Sequence, residues 1–251
     1  MRLQKTSAAH SAELDHRDTA AHIIELFHRI MVHHALWFAE VKHQMGTERA
    51  LDILHEAFTT SFSIQMKHLG GLFGFEMDDG VPAPLLDMEP ELLAQVRDRL
   101  AKNWLVNDGV WFQAIEQREG MSEAKRCNDS CWAQFSPYEA FAIKRQLGLA
   151  EQAGLAGLKQ ALGFRVYATI NIQSIVDESD TSFIFRMDEC RVQQARQRRG
   201  LPDYPCKSAG LVEYSYFARA IDARIKTECI GCPPDEHPPE WFCAWRFTLE
   251  P

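Results

Sequence analysis

Near residue 165 the hydrophobic period of this chain changes from about 3.6 to 2, which restricts the fold to helices followed by a small sheet. Upstream, from about residue 19 to 160, apolar residues recur at helical spacing. Ile23, Ile24, Phe27, Ile30, Met31, Leu36, Trp37 and Val41 mark a first helix from Ala20 to Met45, and Gly46 stops it. Thr47 opens a second helix, with Leu51, Leu54, Phe58, Phe62, Ile64 and Met66 inward, that ends at Gly70-Gly71. Pro82 and Pro84 mark a loop, and a third helix runs from Pro90 to about Glu119. Ser122 caps a fourth helix to about Ala133. Ser136-Pro137-Tyr138-Glu139 reads as a capping box that starts a fifth, ending at Leu147. A short helix around Leu155–Leu162 follows.

Beyond the switch, Val166, Ala168, Ile170 and Ile172 alternate with Tyr167, Thr169, Asn171 and Gln173 as a strand does. Asp177–Thr181 is a turn, and Phe183–Cys190 is the returning strand. Arg191–Arg199 is a short basic helix, and Lys207–Ile221 a longer amphipathic one. Arg224–Ile230 and Trp241–Leu249 pair around a Pro/Asp loop. The expected class is α+β, a helical N-terminal half packed on a small antiparallel ββαββ unit. Its expected parts are a disordered tail (1–18), a helical region (19–160) and a cysteine-rich antiparallel α/β region (161–251).

Five of the seven cysteines, Cys190, Cys206, Cys229, Cys232 and Cys243, crowd the last 62 residues. Following the chain path, the second strand ends at Cys190, and Cys206 precedes the long helix. That helix runs away from this edge, so the third strand returns along it carrying Cys229, and the fourth starts there at Cys243. Cys232 lies in the loop between. Such gathered thiols hold metal ions, and Zn²⁺ accepts four thiolates tetrahedrally, so the expected site is one Zn²⁺ on Cys190, Cys206, Cys229 and Cys243, with Cys232 as the alternative fourth ligand. An iron–sulfur cluster is the alternative cofactor, because tetrathiolate sites suit both. The spacing of Cys229-Ile230-Gly231-Cys232 recurs in zinc, redox and iron–sulfur proteins alike, and small buried hydrophobes are the plain alternative. His237 is a reserve ligand.

A second constellation lies on the helices. His33 and Glu40 share a face with Trp37 between them, and Trp104, Asp108 and Trp111 form a matching stripe. Trp37, Trp104 and Trp111 are therefore candidate walls of a small-molecule pocket, with His33, Glu40 and Asp108 as polar anchors or catalytic groups. Ordinary core packing is the competing explanation of the tryptophans. Cys127 and Cys131 share a helical face and read as structural. Arg191, Arg196, Arg198 and Arg199 form a basic run of the kind that faces solvent. No phosphate-binding glycine loop, HExxH, GxSxG or dinucleotide fingerprint occurs.

The net charge of −8 argues against a nucleic-acid partner. No apolar run is long enough to span a membrane, and the polar first 18 residues lack an apolar signal core, so the expected address is cytoplasmic. An odd cysteine count fits that address, where thiols stay reduced. The oligomeric state is unknown from sequence.

Leu36-Trp37-Phe38-Ala39-Glu40-Val41, Asn103 through Phe112, Lys125-Arg126-Cys127-Asn128-Asp129 and Thr227 through Pro234 resemble an uncharacterised family of bacterial cytosolic proteins, from about residue 19 onward. A more distant likeness joins Cys229 and Cys243-Ala244-Trp245-Arg246-Phe247 to the L-2-amino-thiazoline-4-carboxylate hydrolase family and the 4-vinyl-reductase ligand-binding domain. It implies an α/β fold that binds a small molecule, with cysteines as metal or catalytic groups. This chain departs from those families in its added Cys232 and its helical half.

Three functions follow as expectations. The first is a binding or sensory protein with a structural metal and a small organic ligand. The second is a hydrolase of a small carboxylate, in which Glu40 or His33 is general base and Arg186 or Arg246 holds the substrate carboxylate. Iron–sulfur electron transfer is the third.

Overall fold

The computed structural model describes residues 14–200 and 202–251. Most of the expected N-terminal tail lies outside these. Its last residues, from His16 on, are helical, because the Asp15 carboxylate caps the helix by accepting from the Asp18 N–H at 2.8 Å. The fold is α+β and separates into two compact units, one ending at Leu86 and one spanning Asp87–Pro251.

In the first unit α1 (His16–Met45) turns into α2 (Thr47–Phe73) through the single residue Gly46, whose φ of 84° suits glycine. The two helices pack together, with the His34 ring edge-on to Phe58 and Phe58 stacked on Phe62. The second helix continues past the expected Gly70-Gly71 stop to Gly74, a left-handed cap. A two-residue hairpin of β1 (Met77–Asp78) and β2 (Val81–Pro82) leads to the short α3 (Ala83–Leu86).

The second unit holds α4 (Pro90–Glu119), α5 (Met121–Leu147) and α6 (Gly154–Leu162), then a 3-10 turn (Ala168–Ile170). After it come β3 (Ile172–Ser179), β4 (Ser182–Glu189), α7 (Arg191–Gln197), α8 (Lys207–Ile221), β5 (Ile225–Gly231) and β6 (Cys243–Leu249). The sheet is antiparallel in the order β3-β4-β6-β5. The expected ββαββ path is thus the observed one, and the change from helix to strand falls inside this unit. One sheet face, carrying Phe183, Phe185, Met187, Trp245, Phe247 and Ile225, joins Tyr214, Phe217 and Ile221 of α8 in the buried core. Helix α5 lies along α8 and α4 along α5. Among the described residues no helix is long and apolar enough to cross a membrane.

Two further local expectations fail. The fourth and fifth helices are one, α5, with Pro137 inside it. Proline forfeits a helical hydrogen bond there, but Trp132, Ser136, Glu139, Ala140 and Ile143 form one buried stripe on both sides of it, and that packing holds the helix together. The first strand begins at Ile172 rather than Val166. Arg165 and the Val166 N–H bind the two oxygens of the Glu139 carboxylate at 2.9 and 2.7 Å, which ties residues 165–166 to α5 instead of the ladder.

Candidate metal centre

Each thiol of the C-terminal group is delivered by a different piece of local structure. Cys190 immediately precedes α7 and Cys206 immediately precedes α8. On the helix-covered sheet face, Cys243 opens β6 opposite Met187, and Cys229 sits on β5 opposite Trp245. Cys232 follows β5 in a loop fixed on three sides. The Lys207 N–H donates to the Pro233 carbonyl at 2.9 Å, the Asp235 N–H to the Cys232 carbonyl at 2.9 Å, and Lys207 Nζ pairs with Asp235 at 2.7 Å. Gly231 admits the Trp241 ring, which a Cβ there would meet at 3.0 Å.

These anchors bring thiols together. Cys232 is 1% exposed, and Cys206 and Cys243 are the neighbours that act on its thiol. Those neighbours, with burial, push its pKa far up. Cys190 feels the charge of Cys206 and Cys243, and Cys229 that of Cys243. Burial pushes the Cys190 thiol up to about 12, against the pull of the Gln193 and Val192 N–H groups. Burial also raises Cys229, opposed by nearby Lys207 and the Gly231 N–H. All three shifts favour the neutral thiol over the thiolate. All seven cysteines are free.

Among the described residues no group of three or more His, Cys, Asp or Glu side chains stands ready to hold a metal ion. The donor chemistry nevertheless fits one. N–H groups aimed at sulfur stabilise thiolates, and three of the five cysteines have them: Cys190 from Gln193 and Val192, Cys229 from Gly231, and Cys206 from the Gln193 side-chain amide at 2.9 Å. Thiols release their protons when they take up a metal.

The aromatic constellation is distributed differently. His33, Trp37 and Glu40 belong to the first unit, where Trp37 is 60% exposed and Glu40 accepts from Gln44 at 2.7 Å. Trp104, Asp108 and Trp111 belong to the second. Trp104 packs against Trp132, Phe135 and Tyr167, whereas Trp111 is 67% exposed. Burial raises the Asp108 carboxyl, and the Asp108 charge reaches Cys131 and Tyr204. Cys127 and Cys131 are exposed. Arg186 and Arg246 lie on the sheet face opposite the one bearing Cys229 and Cys243, since β4 and β6 alternate, and Arg246 is engaged by Glu178 and Glu228. His237 pairs with Asp203 at 3.3 Å.

Sequence reasoning missed a buried polar string that ends at the thiols. Arg165 pairs with Glu139 at 2.9 Å and Glu213 at 2.7 Å and donates to the Tyr167 hydroxyl. Tyr167 donates to Glu213 and approaches Tyr214, and Tyr214 feels the charge of Cys243. A single arginine within the apolar Phe164-Arg165-Val166-Tyr167 run was the available signal.

A family model described as a family of unknown function (DUF6125) matches residues 86–249, which takes in every residue of this centre. No curated protein and no solved structure matches the chain.

Proposed function

The chain belongs to the family of unknown function DUF6125, and from its own residues we propose that it is a cytoplasmic metal-binding protein whose thiols hold one zinc ion and which binds a small organic molecule in a binding or sensory role. What supports this reading is the buried Cys232 with Cys206 and Cys243 acting on its thiol, three cysteines from three separate elements. Cys190, which feels both Cys206 and Cys243, is the fourth ligand. Cys229 stands at the rim beside Lys207 and Asp235. Four thiolates close the coordination sphere, so the metal ties α7, α8 and β6 together and leaves no position for a reacting water.

The distant likeness to L-2-amino-thiazoline-4-carboxylate hydrolases supplies the competing reading. It requires one ligand position to be open to water. An iron–sulfur cluster would instead colour the protein.

The test is elemental analysis with a visible spectrum on anaerobically purified protein. The proposal expects about one zinc per chain and no colour. Cys232→Ser and Cys206→Ser should lose the zinc, whereas Cys229→Ser should keep it. Zinc retained by Cys232→Ser would refute the ligand set, and stoichiometric iron with visible absorption would replace zinc by a cluster.

A further inference from the structure

We infer that the polar cleft between α4, the 3-10 turn and the start of α7 binds the carboxylate of a small organic acid through Arg191 and Lys102. The inference rests on the ligand-binding half of the proposed function and is independent of the metal.

The cleft has a volume of about 230 Å³, room for several waters or a molecule of a few heavy atoms. Lys102 reaches it from α4, Thr169 and Asn171 from the turn and the residue after it, and Glu189, Arg191 and Gln194 from the β4–α7 junction. Its two cations form no ion pair among the described residues, and the Arg191 Nε is buried without a hydrogen-bond partner. A buried guanidinium N–H needs an acceptor, and the planar fork of the half-buried Arg191 matches a carboxylate.

The backbone holds that arginine in place. The Arg191 N–H donates to Asn171 Oδ1 at 2.9 Å, and the Asn171 amide donates back to the Tyr167 carbonyl at 3.3 Å. The nearby carboxylates are already occupied. Glu189 accepts from Gln194 at 3.0 Å, and the Asp98 carboxyl, one turn before Lys102, is lowered by Thr169, Arg97 and Lys102. They select by charge: two fixed negative charges beside the cleft repel a phosphate dianion more than a carboxylate. Glu189 and Arg191 also flank Cys190, so an occupied cleft adjoins the thiol centre through one residue.

The experiment is a titration of the purified metal-loaded protein with pyruvate, and separately with inorganic phosphate, followed by calorimetry and by the amide resonances of Thr169 and Asn171. Saturable pyruvate binding is expected, with phosphate weaker by about tenfold. Arg191→Gln and Lys102→Met should each weaken pyruvate by about tenfold or more at unchanged metal content, which distinguishes failure here from failure of the centre. Arg191→Lys retains charge without the fork and should lie between. Phosphate binding as tight as pyruvate, pyruvate binding indifferent to both substitutions, or no saturation of the wild type would overturn the inference.

Discussion

The Gln193 side chain bridges the segment before α8 to α7: its amide donates to Cys206 Sγ and to the Tyr204 carbonyl, both at 2.9 Å, while its carbonyl accepts from the Tyr204 N–H at 2.7 Å. It is 0% exposed, so these groups have no water to fall back on. Gln193→Leu should therefore cost about 3 kcal/mol in urea denaturation through the orphaned groups at Tyr204. It should also lower zinc retention against a chelator. A variant with unchanged stability would show that the 204–206 segment is held by something else.

Arg165 carries the only positive charge among the groups that bond to it, and it pairs two buried carboxylates. Removing one partner of a buried pair leaves an uncompensated charge, so Arg165→Met should destabilise the fold by about 3–5 kcal/mol. Adding Glu213→Gln to that variant should recover part of the loss, because burial already raises the Glu213 carboxyl toward its neutral form. Chemical denaturation of the single and double variants measures the difference.

Gly210 faces the indole of Trp245, and a Cβ there would stand 2.5 Å from Trp245 Cζ2. Gly210→Ala should cost about 1–3 kcal/mol by driving α8 off the sheet. Gly109, within α4, has open space where a Cβ would stand, with nothing within 4 Å. Gly109→Ala should instead stabilise by about 0.5–1 kcal/mol. Thermal melts of the two variants should shift in opposite directions.

Asp222 gives the acid limb of stability. Arg224 and the N–H groups of Arg224 and Gly154 hold its carboxyl well below the ordinary 3.8. A depressed folded pKa adds stability above 3.8 that is lost as pH falls through the folded value. The wild type should lose stability steadily below about pH 4. Asp222→Asn should be less stable at pH 7 and show a flatter acid limb. Equal slopes in a urea series between pH 2 and 5 would contradict the assignment.

The C-terminal unit was legible because its strands alternate cleanly and Lys207–Ile221 has one apolar face; the ββαββ path then followed from chain direction alone. The same path reasoning put Cys206 directly before the long helix and Cys243 at the start of the last strand, where both are found. What sequence hid depends on partners far along the chain. Val166–Ile170 has a strand pattern, yet Glu139, 27 positions before Val166, takes its backbone. Pro137 has the marks of a helix start, but burial on both sides of it overrides them.

The central claim is that cysteine sulfurs surround one ion, and the X-ray absorption fine structure at the zinc edge of the purified protein tests it most directly. Four sulfur scatterers at about 2.3 Å with no oxygen or nitrogen shell are predicted. A shell of light atoms, or protein that takes up no zinc under anaerobic conditions, would contradict it.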